Sequence, residues 1–165
     1  MFKRIIGALK SAGAFQTARL CIVTGGYSGL IPIAPGTAGS AVGVFLVWAL
    51  YPICGISIQI ALSIAIGALG IWLSDAAQHH FKRSDPGQIV IDEIAGVFFT
   101  MIAIPITGSS LLYGFVLFRI FDIAKPPPAK YFDTRLKNGW GIMMDDIVSG
   151  IYANIVLHLI WSTKI

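Results

Sequence analysis

The uncharged run from Ile53 to Ser74 constrains this chain more than any other feature, because it reaches the roughly 20 apolar residues an α-helix needs to cross a hydrocarbon core. Around it, hydrophobic residues make up 56% of the 165-residue sequence and charged residues only 12%, against about 25% charged in a soluble domain. A water-soluble domain of this length has too little interior to hide that much apolar surface. In lipid each spanning segment must satisfy its own backbone hydrogen bonds, and with no alternating barrel pattern the segments must be helical. The expected fold class is therefore all-α: a polytopic membrane helical bundle with about five membrane helices, forming a single domain over residues 1–165.

The other apolar stretches, at 40–51, 94–106, 111–121 and 147–161, are shorter. They span a membrane only if their helices begin in the polar residues before them. Before the second of these, Asp85-Pro86-Gly87-Gln88 reads as an N-cap, a first-turn proline and a third-position glutamine. That pattern predicts a helix from Pro86, with Asp92 and Glu93 about two turns inside it. The prolines at 126–128 must end the helix that carries 111–121, since proline breaks the backbone ladder. Between Cys21 and Gly39 the density of glycine and proline predicts a loop or broken helix. At the start of the chain, Phe2, Ile5, Ile6 and Leu9 alternate with Lys3, Arg4 and Lys10, as in a basic amphipathic helix on an anionic membrane surface. Residues 1–20 are read as that interfacial helix; Lys10 and Arg19 interrupt the apolar run too early for a cleavable signal.

All the basic residues except Lys164 fall before Ser40, between Asp75 and Asp92, or between Arg119 and Asp145. Those regions face the cytoplasm by the positive-inside rule. The net charge of +4 forms no basic stripe, which argues against nucleic acid as a partner. All the carboxylates lie on or beside the same side. Cys21 and Cys54 fit no metal spacing and no thiol-phosphatase pattern, so they are read as small core residues. His79 and His80 are read as part of a solvated loop, and His158 as a packed polar residue.

Asp92-Glu93 and Asp145-Asp146 are the informative acids. A carboxylate near the bilayer centre costs about 2.5 to 3.5 kcal/mol on insertion scales, and an acidic neighbour adds repulsion. Two such pairs call for cations. With oxygen ligands only, Mg2+ or Mn2+ is preferred over zinc. The segments 85–96 and 138–149 echo one another weakly, and Gly96, Ser149 and Gly150 would let two such helices approach closely. Arg119, Asp122 and Lys125 stand three apart on one helical segment, so they can hold a phosphate and its metal together, Asp122 being a further metal ligand. Pro35-Gly36-Thr37-Ala38-Gly39-Ser40 places backbone amides and the Thr37 and Ser40 hydroxyls like an anion nest at a helix start.

Four ordered blocks, Pro35 to Ser40, Asp85 to Gly96, Phe118 to Pro126 and Gly141 to Gly150, resemble the phosphatidylglycerophosphatase A family over about residues 30–155. The resemblance implies a Mg2+-dependent enzyme of the bacterial inner membrane that hydrolyses phosphatidylglycerophosphate to phosphatidylglycerol and phosphate. The catalytic and metal-binding set would be Asp92, Glu93, Asp122, Asp145 and Asp146, with Arg119, Lys125, Thr37 and Ser40 on the substrate. The active site would face the cytoplasm, and the partners would be the phospholipid substrate and membrane lipids. Attack by water and a covalent phosphoenzyme on Asp122 or Thr37 are both open. A phosphatase for another lipid phosphate is the nearest alternative. A small divalent-cation transporter is the alternative from another class, but it should place acids at several depths rather than one.

Overall fold

A computed structural model describes residues 13–81 and 86–162. Every regular element among them is helical. We number the α-helices α1 Ala14–Val23, α2 Pro35–Leu50, α3 Ile56–Phe81, α4 Ile91–Thr100, α5 Gly108–Ala124, α6 Ala129–Arg135 and α7 Gly139–Ser162. Short 3₁₀ turns at Ser28–Leu30 and Tyr51–Ile53 lead into α2 and out of it. The amphipathic segment 1–12 and the expected cap Asp85 lie outside the described residues.

Among the described residues three helices, rather than the expected five or so, are long and apolar enough to cross a membrane: the segments Pro35–Ile53, Ile56–Gln78 and Gly139–Ser162. The first two are only 28% buried within the protein, whereas α7 is 50% buried. Their outward faces carry Phe45, Trp48, Ile58, Ile64, Leu69 and Trp72, as a lipid-facing surface requires. His79 and His80, expected in a loop, belong to the last turn of α3.

Helix α4 is central, packed against α2, α3, α5 and α7. It has ten residues, seven of them buried, and is therefore only about 15 Å long. Its apolar continuation reads as helix by composition, yet the chain leaves helical geometry at Met101 and passes Ala103 with φ of +57°. Irregular backbone at this depth is tolerated only where protein satisfies it, and three polar side chains do so. Asn154 Nδ2 donates to the carbonyls of Thr100 and Ile102, each at 2.9 Å. Gln59 Oε1 accepts from Ala103 N at 2.9 Å. One turn earlier, Tyr51 Oη donates to Phe98 O and bonds Ser63 Oγ, both at 2.9 Å. Nearby, His158 Nε2 lies 3.3 Å from Ile102 O, on an exposed rather than packed side chain.

Apolar surface gives helices little reason to associate within lipid, so close backbone packing has to hold them together. The α4–α7 contact is built that way. A Cβ on Gly150 would collide with Gly96 O, and one on Gly96 would meet the Phe118 ring and Asp146 O. These small residues press the two acid-bearing helices against each other.

At its start α7 is capped twice. Asn138 Oδ1 accepts from Gly141 N at 3.2 Å, and Asp75 Oδ1, from α3, accepts from Gly139 N at 3.2 Å. Losing an N-cap costs about 1 kcal/mol, so Asn138→Ala should lower the melting temperature measurably in micelles. An unchanged melt would show that Asp75 alone suffices.

Candidate active site

The start of α4, the end of α5, α6 and the first turns of α7 meet around a cavity of about 150 Å3, and Gly36 at the start of α2 packs against Glu93 behind it. The start of α4 differs from its sequence expectation. Residues 86–90 form a turn, with Ile89 N bonded to Pro86 O, followed by non-helical backbone in which Val90 N donates to Val23 O at 2.9 Å. The helix therefore begins at Ile91, and Asp92 and Glu93 occupy its first turn rather than lying two turns inside. Negative charge is favoured there by the helix dipole. Asp92 Oδ1 also accepts the Glu93 amide at 3.1 Å.

Asp145 and Asp146 lie about two turns below the start of α7, both buried. The echo between the two acidic segments thus does not extend to their geometry, one pair opening a helix and the other lying within one. The two helices nevertheless bring their acids together. One oxygen each from Asp92, Glu93 and Asp146 lies within 4.8 Å of the others. Asp146 is also close enough to Asp122, Glu93 and Asp145 to interact electrostatically with each.

Arg119 and Asp122, on the last turns of α5, form an ion pair at 2.5 Å. Arg119 Nη1 further reaches Ser40 Oγ at 3.4 Å, and Ser40 Oγ donates to Gly36 O at 2.8 Å. Ser40 therefore steadies the guanidinium. The segment expected as an anion nest forms the first turn of α2, which begins at Pro35 behind Ala34 in left-handed geometry, with Ala38 N bonded to Ala34 O. Thr37 is exposed in the first turn of α2 and is not among the cavity-lining residues.

Lys125 departs from the line of Arg119 and Asp122. It takes φ of +43° at the end of α5, so its side chain swings off that helix. Its Nζ lies 2.7 Å from Asp133 Oδ1 on α6 and 2.7 Å from Asp145 Oδ2 on α7. Burial works against the ammonium, but the two carboxylates outweigh it and raise the lysine pKa above its ordinary value. Asp133 is the residue that sequence reasoning missed. It follows Lys125 across three prolines, and no helical periodicity survives that break.

The cavity is lined by six carboxylates, those of Asp92, Glu93, Asp122, Asp133, Asp145 and Asp146, against the ammonium groups of Lys125 and Lys137. Even with Arg119 counted, acids are in excess. Two buried oxygens, Glu93 Oε2 and Asp145 Oδ1, have no hydrogen-bond donor among the described residues, and buried polar atoms rarely stay unpaired. Among the described residues no cysteine or histidine lines the cavity. An all-oxygen, anionic donor set of this kind suits a hard divalent cation. Octahedral Mg2+ holds its oxygens about 2.1 Å away and hence about 3 to 4.2 Å apart, so the three converging carboxylates need only a small closure to fit.

A family profile described as phosphatidylglycerophosphatase A matches residues 21–161. The chain is 42% identical over 140 residues to a Haemophilus influenzae protein named phosphatidylglycerophosphatase A, covering 84% of this chain and 86% of that one. It is 37% identical over 147 residues to the Escherichia coli protein of the same name, covering 84% and 81%. A Bacteroides thetaiotaomicron protein, provisionally named a phosphatidylinositol-3-phosphatase, is 35% identical over 143 residues, covering 82% and 89%. No solved structure matches. With the family profile spanning most of the chain and relatives aligned over most of their own length, this protein belongs to the phosphatidylglycerophosphatase A family.

Proposed function

We propose that this protein hydrolyses the terminal phosphomonoester of phosphatidylglycerophosphate, releasing phosphatidylglycerol and phosphate, with Mg2+ held by Asp92, Glu93 and Asp146. The observation that carries this reading is the meeting of those three acids with two basic side chains, Arg119 and Lys125, in one region of a helical bundle. The names of the relatives supply the substrate.

Bound there, the ion would supply a Lewis acid that neutralises developing charge on the phosphoryl oxygens. Arg119 presents a planar fork to the phosphate, oriented by Asp122 and Ser40. Asp145 holds Lys125 through Oδ2 and keeps Oδ1 free of donors, which lets it accept a proton from an attacking water. Asp122 and Asp145 thus work first through the basic residues, and the three converging acids are the primary metal set. Thr37 stands at the exposed rim, within reach of a headgroup rather than of the reacting phosphate. Bases set among acids in one region would oppose a travelling cation, so catalysis fits this arrangement better than transport.

In the same reading the protein is a multi-pass domain of the bacterial inner membrane with its active site toward the basic, cytoplasmic side. Helix α5, 17 residues and about 26 Å long, makes a fourth crossing. Helix α4 is a buried half-crossing, and α1, whose exposed Phe15 lies 5.2 Å beneath Arg19, lies along the interface.

The test is phosphate release by purified protein in micelles, from phosphatidylglycerophosphate and from phosphatidylinositol 3-phosphate, across a Mg2+ titration ending in chelator. Release from the glycerol lipid should require Mg2+ and exceed release from the inositol lipid. Metal-independent release would overturn the ion assignment, and preference for the inositol lipid would overturn the substrate.

A further inference from the structure

We infer that Asp133 is a positioning residue that aims the Lys125 ammonium into the cavity, making α6 part of the phosphate-binding apparatus. The inference rests on the phosphatase reading for its substrate, though not for its geometry.

Lys125 occupies left-handed backbone geometry, φ +43° and ψ +60°, which disfavours a residue bearing a Cβ and is filled most readily by glycine or asparagine. A lysine held there is retained for its side chain. The turn carries that side chain away from Arg119 and toward α6 and α7, where Asp133 and Asp145 each approach Nζ to 2.7 Å. An ammonium has three N–H donors. Two are taken by carboxylates from two different helices, which fixes the rotation of the group and leaves the third for the cavity that Lys125 lines. Asp145 alone would leave the ammonium free to swing about one ion pair.

The platform for Asp133 is itself anchored. Tyr152 Oη donates to Pro127 O at 2.7 Å, tying the proline segment to α7. Ala129, at the start of α6, is fully buried, and α6 packs along α7. Lys137 Nζ donates to Asp133 O at 2.9 Å, closing the far end of the short helix. Asp133 is therefore held by structure outside the carboxylate cluster, and among the described residues its ion pair is with Lys125.

The experiment compares Asp133→Asn and Asp133→Glu in the native background with Asp133→Asn in a Lys125→Met background. Hydrolysis of phosphatidylglycerophosphate and stabilisation by inorganic phosphate, read as a thermal shift in micelles, are both measured. In the native background Asp133→Asn should raise KM about tenfold, with kcat within about threefold, and weaken the inorganic phosphate shift. Asp133→Glu should recover most of both. With Lys125 replaced by methionine, Asp133→Asn should change kcat/KM by less than about twofold, since the two act through one contact. Equal losses in both backgrounds, or native KM and phosphate binding in Asp133→Asn, would overturn the inference. Should the protein fail to hydrolyse the lipid while Asp133→Asn still loses phosphate binding, the substrate reading falls and the positioning role stands.

Discussion

Asp146→Asn should reduce kcat/KM for phosphatidylglycerophosphate by about a thousandfold or more, while making the metal-free protein melt at a higher temperature. The two effects have opposite signs for one reason. Asp146 is only 3% exposed and faces Asp122, Glu93 and Asp145, so its charge is a burden on the fold unless a cation shares the space. Asparagine keeps the shape, removes a repelling charge and offers an amide that neighbouring carboxylates can accept. It also removes a metal ligand, and several kcal/mol of transition-state stabilisation correspond to three or more factors of ten. In native protein, Mg2+ should raise the melting temperature by ligand linkage, and the variant should lose that shift. A variant that melts lower in chelator, or that keeps both its Mg2+ shift and its activity, would show that these acids do not share an ion.

The second large effect is expected at a residue with no functional group. A Cβ on Gly36 would overlap Glu93 Oε1 and lie 3.3 Å from Arg119 Nη1. What it strikes is the far end of a flexible side chain, so Gly36→Ala should leave the fold and its melting temperature nearly unchanged. Glu93 has to move aside, however, and Arg119 is crowded with it. A displacement of about 1 Å in such a constellation can cost on the order of a hundredfold in rate. Phosphate release and circular dichroism on the same sample decide the matter. Unimpaired hydrolysis would mean that Glu93 does not need its present position.

The gathering of acids on one side, the helix end before the prolines and the small residues between acid-bearing helices were all readable in the sequence, because each follows from local chemistry. Three features were not. Asp85-Pro86-Gly87-Gln88 looks like a helix start, but the main chain of Val23 captures Val90 N, and no local pattern reveals a partner that distant in sequence. The apolar run after Thr100 looks like continuing helix, yet Asn154 and Gln59 provide for its carbonyls and amides from α7 and α3. Lys125 looks like the third member of a row with Arg119 and Asp122, until one positive φ turns it toward a different pair of acids. In each case a tertiary contact overrode a local preference.

The small size of the cavity also limits what recognition can occur within it. A space of about 150 Å3 corresponds to a handful of water molecules at about 30 Å3 each. A space of this order suits a phosphate with its ester oxygen rather than a whole lipid. Telling one phosphorylated alcohol from another must then fall to the mouth of the pocket, where Lys137 and Leu136 stand. Relatives could thus diverge in preferred lipid by altering a few rim side chains, while the acids proposed to hold the metal remain unchanged.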